Sequence, residues 1–220
     1  MAVKITIQKT TAFEYSPFLT GLNSKLNDKK ILNNLDAYIS DNLKEPLQIS
    51  PTSGSEYDFD PASWNKYAIK NNNNCYSYAL GRILSNRNGK PQPGYFSNYP
   101  SISEKEYSNC ENFYNRMKKD NPSMYLEYFK KPCKKGFFKG FIALDNKDGD
   151  KDYHFYRQDS TGYWSHKPGT TEVVEKDSDG NLIKNPLLAN RKYTYYNYSK
   201  PCFFFCTPKN GGRTSAKVTY

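Results

Sequence analysis

Apolar positions change their period near Pro132, and that change divides the chain. Before it, Leu26, Ile31, Leu32, Leu35, Tyr38 and Ile39 recur at spacings of three and four, which predicts a helix from Asn23 to Leu43. Asn71–Asn74 then precede Cys75-Tyr-Ser-Tyr-Ala-Leu-Gly-Arg-Ile-Leu84. Asparagine is a strong N-cap, so a helix starting at Asn73 or Asn74 carries Cys75 in its first turn. Its buried side would hold Ala79, Ile83 and Tyr76 or Tyr78. Further on, Ser103 and Glu106 make a capping box. Tyr107, Cys110, Phe113, Tyr114 and Met117 fall on one helical face until Asn121-Pro122, which assigns Cys110 to the core.

After Pro132 the pattern alternates and is aromatic. Phe137–Leu144 reads as a strand ending at the turn-rich segment Asp145–Asp150. The stretch DYHFYRQDSTGYWSHKPG, Asp152–Gly169, carries both histidines of the chain. Tyr153–Tyr156 alternates as a half-buried strand, Gln158–Gly162 is turn chemistry, and Tyr163–His166 is the return strand before Pro168-Gly169. His154 and His166 are symmetric about Ser160. An odd-length loop centred there sets the two rings directly opposite on one face, whereas a one-residue slip sends them to opposite faces. Arg157 and Asp159 read as a cross-turn pair of little energetic value. Thr171–Glu175 and Asn181–Ile183 flank another turn, and Tyr193–Phe205 is a last aromatic strand region. Helices first and an antiparallel meander afterwards make an α+β domain. Residues 1–60 are expected to form an N-terminal extension of a small strand, a polar loop and one helix. Residues 61–206 form the main unit, and 207–220 a loose basic tail.

Composition narrows the classes. The chain has 220 residues, 16% of them aromatic, with 20 Tyr and 13 Phe, so its core is aromatic with tyrosine rims. A mean hydropathy of −0.90 and the lack of a long apolar run exclude a membrane-spanning helix. The start MAVKITIQKT lacks the apolar stretch of a secretory signal, so a cytoplasmic or virion-associated location is expected. The net charge of +10 favours anionic partners. Lys118-Lys119, Lys130-Lys131 and Lys134-Lys135 are isolated doublets, however, and read as solvated surface that supports only weak binding of an anionic polymer. The five cysteines, at 75, 110, 133, 202 and 206, form no CxxC pair. They read as reduced, buried thiols of an intracellular-type protein, one of them reactive. No zinc ribbon, EF-hand loop, P-loop or dinucleotide fingerprint occurs, so no metal and no cofactor is expected.

A thiol at a helix N-terminus is pushed towards thiolate, and the free N–H groups of that turn can receive an oxyanion. A histidine on a neighbouring strand supplies the base, and a second polar group on its other nitrogen fixes the tautomer. Cys75, His154 and His166 supply these parts in that order. NNCYSYAL at a helix head, followed by strands carrying a histidine and then a second polar residue, resembles the papain-like NlpC/P60 and CHAP hydrolases. The block NCYSYAL…DYHFYRQD…GYWSHKPG is also similar to proteins of bacteria and large DNA viruses. The hydrolase resemblance covers roughly Trp64 to Ile183. It implies a papain-like fold, with N-terminal helices packed on an antiparallel sheet. It also implies Cys75 as nucleophile, His154 as base and His166 as orienting residue, with Asn74 at the oxyanion site and Trp64 and Tyr67 beside the cleft. The Asp-Cys-Ser-Gly signature of NlpC/P60 is replaced here by Asn74-Cys75-Tyr76-Ser77. The expectation is a cysteine hydrolase that cleaves an amide bond in a peptide or cell-wall peptide. The rival is a non-catalytic structural or virion-associated protein on the same fold, binding an anionic polymer through its basic, tyrosine-rich faces. Nucleic-acid binding ranks third, because no RRM, KH or zinc-finger signature is present.

Overall fold

The computed structural model describes residues 17–44, 49–85, 90–145 and 151–209, with side chains from residue 23 onward. The architecture is α+β. Helices α1 (Pro17–Leu32), α2 (Leu35–Leu43), α3 (Pro61–Trp64), α4 (Tyr67–Asn72), α5 (Cys75–Ala79) and α6 (Cys110–Asp120) accompany one five-stranded sheet. Its strands β1 (Tyr125–Glu127), β2 (Phe137–Leu144), β3 (Tyr153–Gln158), β4 (Trp164–His166) and β5 (Lys200–Pro208) run in the order β1-β5-β2-β3-β4. All neighbours are antiparallel. The last strand therefore inserts between β1 and β2, so the meander is only β2-β3-β4.

The sheet is held by aromatic side chains buried on both of its faces. Phe141 faces Phe204 across the ladder with ring centroids 4.9 Å apart. Gly140 lies opposite Phe205, whose ring would come within 2.2 Å of a Cβ at that position. Glycine there is what lets the ring lie flat on the strand. Strand β3 is buried on both faces rather than half-buried as its alternation predicts, because helix α5 covers one side.

The predicted helix Asn23–Leu43 is two helices. Asn33 and Asn34 interrupt it, and the Asn34 side chain caps α2 by accepting from the Ala37 N–H. Asparagine prefers a cap to a helix interior because its amide competes with the backbone. Ile31 and Tyr38 nevertheless enter the main core beside Leu126 and Phe204. Helix α5 is shorter than predicted, ending where Gly81 takes φ +65° against the Tyr57 ring. The Ser103/Glu106 box closes a 3₁₀ turn, Glu104–Glu106, and α6 begins separately at its own cap, Asn109. The expected hairpin around Asp177–Gly180 is reduced to isolated bridges such as Lys176 with Leu182. The small strand expected at the N-terminus and most of the basic tail lie outside the described residues.

Two findings revise the sequence reading. First, four of the five cysteines are bonded. Cys110–Cys202 ties α6 to β5, and Cys133–Cys206 ties the segment after β1 to the same strand. The expectation of five reduced thiols fails because β5 passes both partners, a neighbourhood that spacing does not show. Second, Arg157 and Asp159 are fully buried at 3.1 Å, with the guanidinium also over the rings of Tyr57 and Tyr78. Removing one partner would strand a buried charge at roughly 3–5 kcal/mol, well above the value of a surface pair.

Candidate functional site

Cys75 sits at the head of α5, as its asparagine cap predicts. The Asn74 side chain accepts from the N–H groups of Tyr76 and Ser77, both at 3.2 Å, and Ser77 Oγ accepts from the Asn74 N–H at 3.0 Å. That reciprocal capping box takes up the N–H groups of Tyr76 and Ser77. The Asn74 amide nitrogen donates to the Pro91 carbonyl at 2.9 Å. Asn74 is therefore engaged on both ends of its side chain and acts as a cap.

The thiol is buried and donates to the Tyr153 carbonyl at 3.9 Å. Its pKa is pushed up to about 12, first by burial and then by the Asp152 carboxylate, with the backbone amides of Phe155 and Tyr76 opposing weakly. A helix of five residues has little macrodipole with which to oppose that burial. The expected activated thiolate is thus replaced by a protonated thiol.

His154 and His166 do share a face. Residue pairing is Tyr156 with His166 and Gln158 with Trp164, so the turn is centred on Thr161 rather than Ser160. That moves the register by two residues, which preserves the face and makes the histidines diagonal neighbours rather than opposites. His154 Nε2 lies 2.7 Å from His166 Nδ1, and His166 Nε2 lies 3.0 Å from the Lys176 carbonyl. The chain of protons follows. Burial drives His166 down to about 4 and His154 well below its usual value, the latter helped by His166, so both rings are neutral. A carbonyl only accepts, so the proton of His166 is on Nε2 and its Nδ1 is bare. His154 therefore donates from Nε2 and keeps a bare Nδ1. Tyr198 stacks on the His154 ring at 5.0 Å, and its hydroxyl donates to Asp152 at 2.8 Å.

Cys75 and His154 line one small cavity of about 140 Å³, together with Asn74, Lys90, Gln92, Asp152, Tyr198 and Gly169. Trp64 and Tyr67 do not belong to it. Trp64 packs edge-on against Tyr78 at 4.7 Å and borders a different cavity with Tyr57, Asp58 and Arg157. Tyr67 is 83% exposed at the start of α4. Preceding α5 in sequence does not bring either side chain into the cavity. Asp152 and Tyr198 were missed, and only the aromatic run around Tyr198 could have drawn attention to it. Among the described residues no cluster of His, Cys, Asp and Glu has the arrangement of a metal site. No described helix is long and apolar enough to cross a membrane.

No family model matches the chain, and no solved structure matches it. Insoluble matrix shell protein 1 of Ruditapes philippinarum is 34% identical to it over 134 residues, which span 60% of this chain and 80% of that protein. The chain belongs to the family of insoluble matrix shell protein 1. Kinship with an insoluble matrix protein overturns the expectation of a cysteine hydrolase or thiol protease. The local chemistry agrees with that correction: the thiol is held protonated, and the Tyr76 and Ser77 amides are taken up by the Asn74 cap.

Proposed function

We propose that the protein is a non-catalytic structural component of an insoluble matrix, built on a papain-like α+β core and holding matrix polymers through its surface. The observation that carries this reading is the 34% identity to insoluble matrix shell protein 1 across 80% of that protein. Three features support it. Cys75 is buried with its thiol protonated, and His154 and His166 form a separate buried hydrogen-bonded pair. Two disulfides fasten strand β5, which lies between β1 and β2, and this suits a location more oxidising than the cytoplasm. The surface carries a net charge of +10 and exposed tyrosines such as Tyr67 and Tyr195, which suits adhesion to anionic polymers.

The test is a paired measurement on wild type and Cys75→Ala. Peptide and cell-wall-peptide substrates should be cleaved at the uncatalysed rate by both. Retention on a particulate polysaccharide matrix should be the same for both. Hydrolysis that disappears in Cys75→Ala would overturn the proposal.

A further inference from the structure

The lysine doublet Lys130-Lys131, isolated in sequence, is not isolated in space. It lines a groove of about 470 Å³ with Lys30 at the end of α1, Lys44 at the end of α2, and Asn27, Asp41 and Tyr128. Four lysines thus face one aspartate. That aspartate is already neutralised: Lys44 Nζ lies 2.5 Å from Asp41, whose carboxyl is held below its usual range first by Lys44, with Lys130 adding to the effect. The groove is cationic because three separate segments deliver the same sign to one place.

Its wall is built, not incidental. Lys139, fully buried in β2, donates from Nζ to the carbonyls of Tyr128 (3.2 Å), Phe129 (2.9 Å) and Lys131 (2.5 Å) and to Ser50 Oγ (2.7 Å). From the other side, Tyr38 and Asn42 of α2 hold the Glu127 carbonyl and the Phe129 N–H at 2.5 and 2.6 Å. The backbone that presents Tyr128, Lys130 and Lys131 is therefore clamped from below and from the flank, so only the lysine side chains have to order when a ligand arrives.

We infer that this groove, formed by the ends of α1 and α2 and the segment 128–131, is a binding site for a linear sulfated polysaccharide. The inference rests on the matrix reading above and names the polymer and the surface. The choice among polyanions comes from the lining. It contains no arginine, whose planar fork pairs bidentately with the carboxylates of an acidic polypeptide. Lysines act as point charges on flexible stems and suit sulfate groups, which impose no planar match. The Tyr128 hydroxyl and the Asn27 side-chain oxygen add groups suited to sugar hydroxyls, while the Asn27 amide nitrogen holds the Leu126 carbonyl and the Tyr128 ring packs against Tyr38 under Lys131.

The experiment measures affinity for dextran sulfate, uncharged dextran and poly-aspartate matched in charge. It uses the full chain, the groove variant Lys30→Gln/Lys130→Gln/Lys131→Gln, and a control that removes equal charge elsewhere, Lys66→Gln/Lys105→Gln/Lys192→Gln. Dextran sulfate should bind, and more weakly as salt rises. The groove variant should lose roughly tenfold in affinity, the sum expected of three solvent-facing ion pairs, while the control stays within about twofold. Equal losses in the two variants would overturn the inference in favour of diffuse charge. Poly-aspartate binding as tightly as dextran sulfate would overturn it in favour of an acidic polypeptide. Failure of dextran sulfate to bind, with hydrolysis still absent, would remove the groove and leave the matrix reading standing. Cys75-dependent hydrolysis would remove that reading whatever the groove binds.

Discussion

At Cys75 two effects compete, and their magnitudes decide the outcome. A helix N-terminus offers an anion about 0.3–1 kcal/mol at an exposed site, and here the helix is five residues long. Burial and the nearby Asp152 carboxylate instead raise the thiol from 9.0 to about 12. That difference makes the thiolate about a thousandfold scarcer, at 1.36 kcal/mol per pKa unit. Iodoacetamide at pH 7.5 should therefore label Cys75 in the native protein at least about a thousandfold more slowly than a cysteine in a short peptide, because thiolate is the reacting form. In urea the rate should rise to the peptide value. Native labelling at the peptide rate, followed by mass spectrometry of the Cys75 peptide, would show the thiol to be open and ionised.

Strand β5 is the element on which the fold depends most. It separates β1 from β2, supplies Phe203, Phe204 and Phe205 to the core, and carries both Cys202 and Cys206. Each disulfide spans a long loop, with sequence separations of 92 and 73. Constraint of the unfolded chain over loops of that length predicts a loss of about 2–5 kcal/mol when either is removed. Cys110→Ser/Cys202→Ser should lower the urea midpoint accordingly, and a reductant should then destabilise the variant less than wild type, because only Cys133–Cys206 remains. Equal effects of reductant on the two proteins would show that the 110–202 bond contributes nothing.

For the whole molecule, the neutral histidine pair sets a dependence on acid. Both folded-state pKa values are depressed, His166 to about 4 and His154 well below 6.5. Below pH 6.5 the unfolded chain takes up protons that the native pair refuses, so stability is lost as pH falls from 6.5 towards 4. Two such groups give a slope of at most about 2.7 kcal/mol per pH unit. Carboxyls raised by burial at Asp120, Asp152 and Asp159 act in the opposite direction. The informative quantity is therefore a comparison: between pH 6.5 and 5, denaturation free energy should fall less steeply in His166→Gln than in wild type, by up to one proton. Identical slopes would mean that His166 titrates alike in the folded and unfolded states.

Local rules made much of this legible from residues alone. Asparagine capping places Cys75 at a helix head, and the apolar, aromatic run bounded by the turn-rich Asp145–Asp150 segment delimits Phe137–Leu144. A hairpin near Ser160 puts both histidines on one face, even though its centre lies one residue further on. These features depend on neighbours a few positions apart, where sterics and backbone hydrogen bonding act. The five cysteines held one further signal, since setting Cys75 aside leaves an even number. Which of the four pair was decided by β5 inserting between β1 and β2, a topology that residue spacing does not encode. Charge behaved likewise: Lys30, Lys44, Lys130 and Lys131 look like scattered surface lysines until two helix ends and a clamped loop gather them round one groove. The chemical state of Cys75 was also a tertiary outcome. A helix end acts over one turn, but desolvation depends on everything packed around the thiol, and only the folded chain determines what that is.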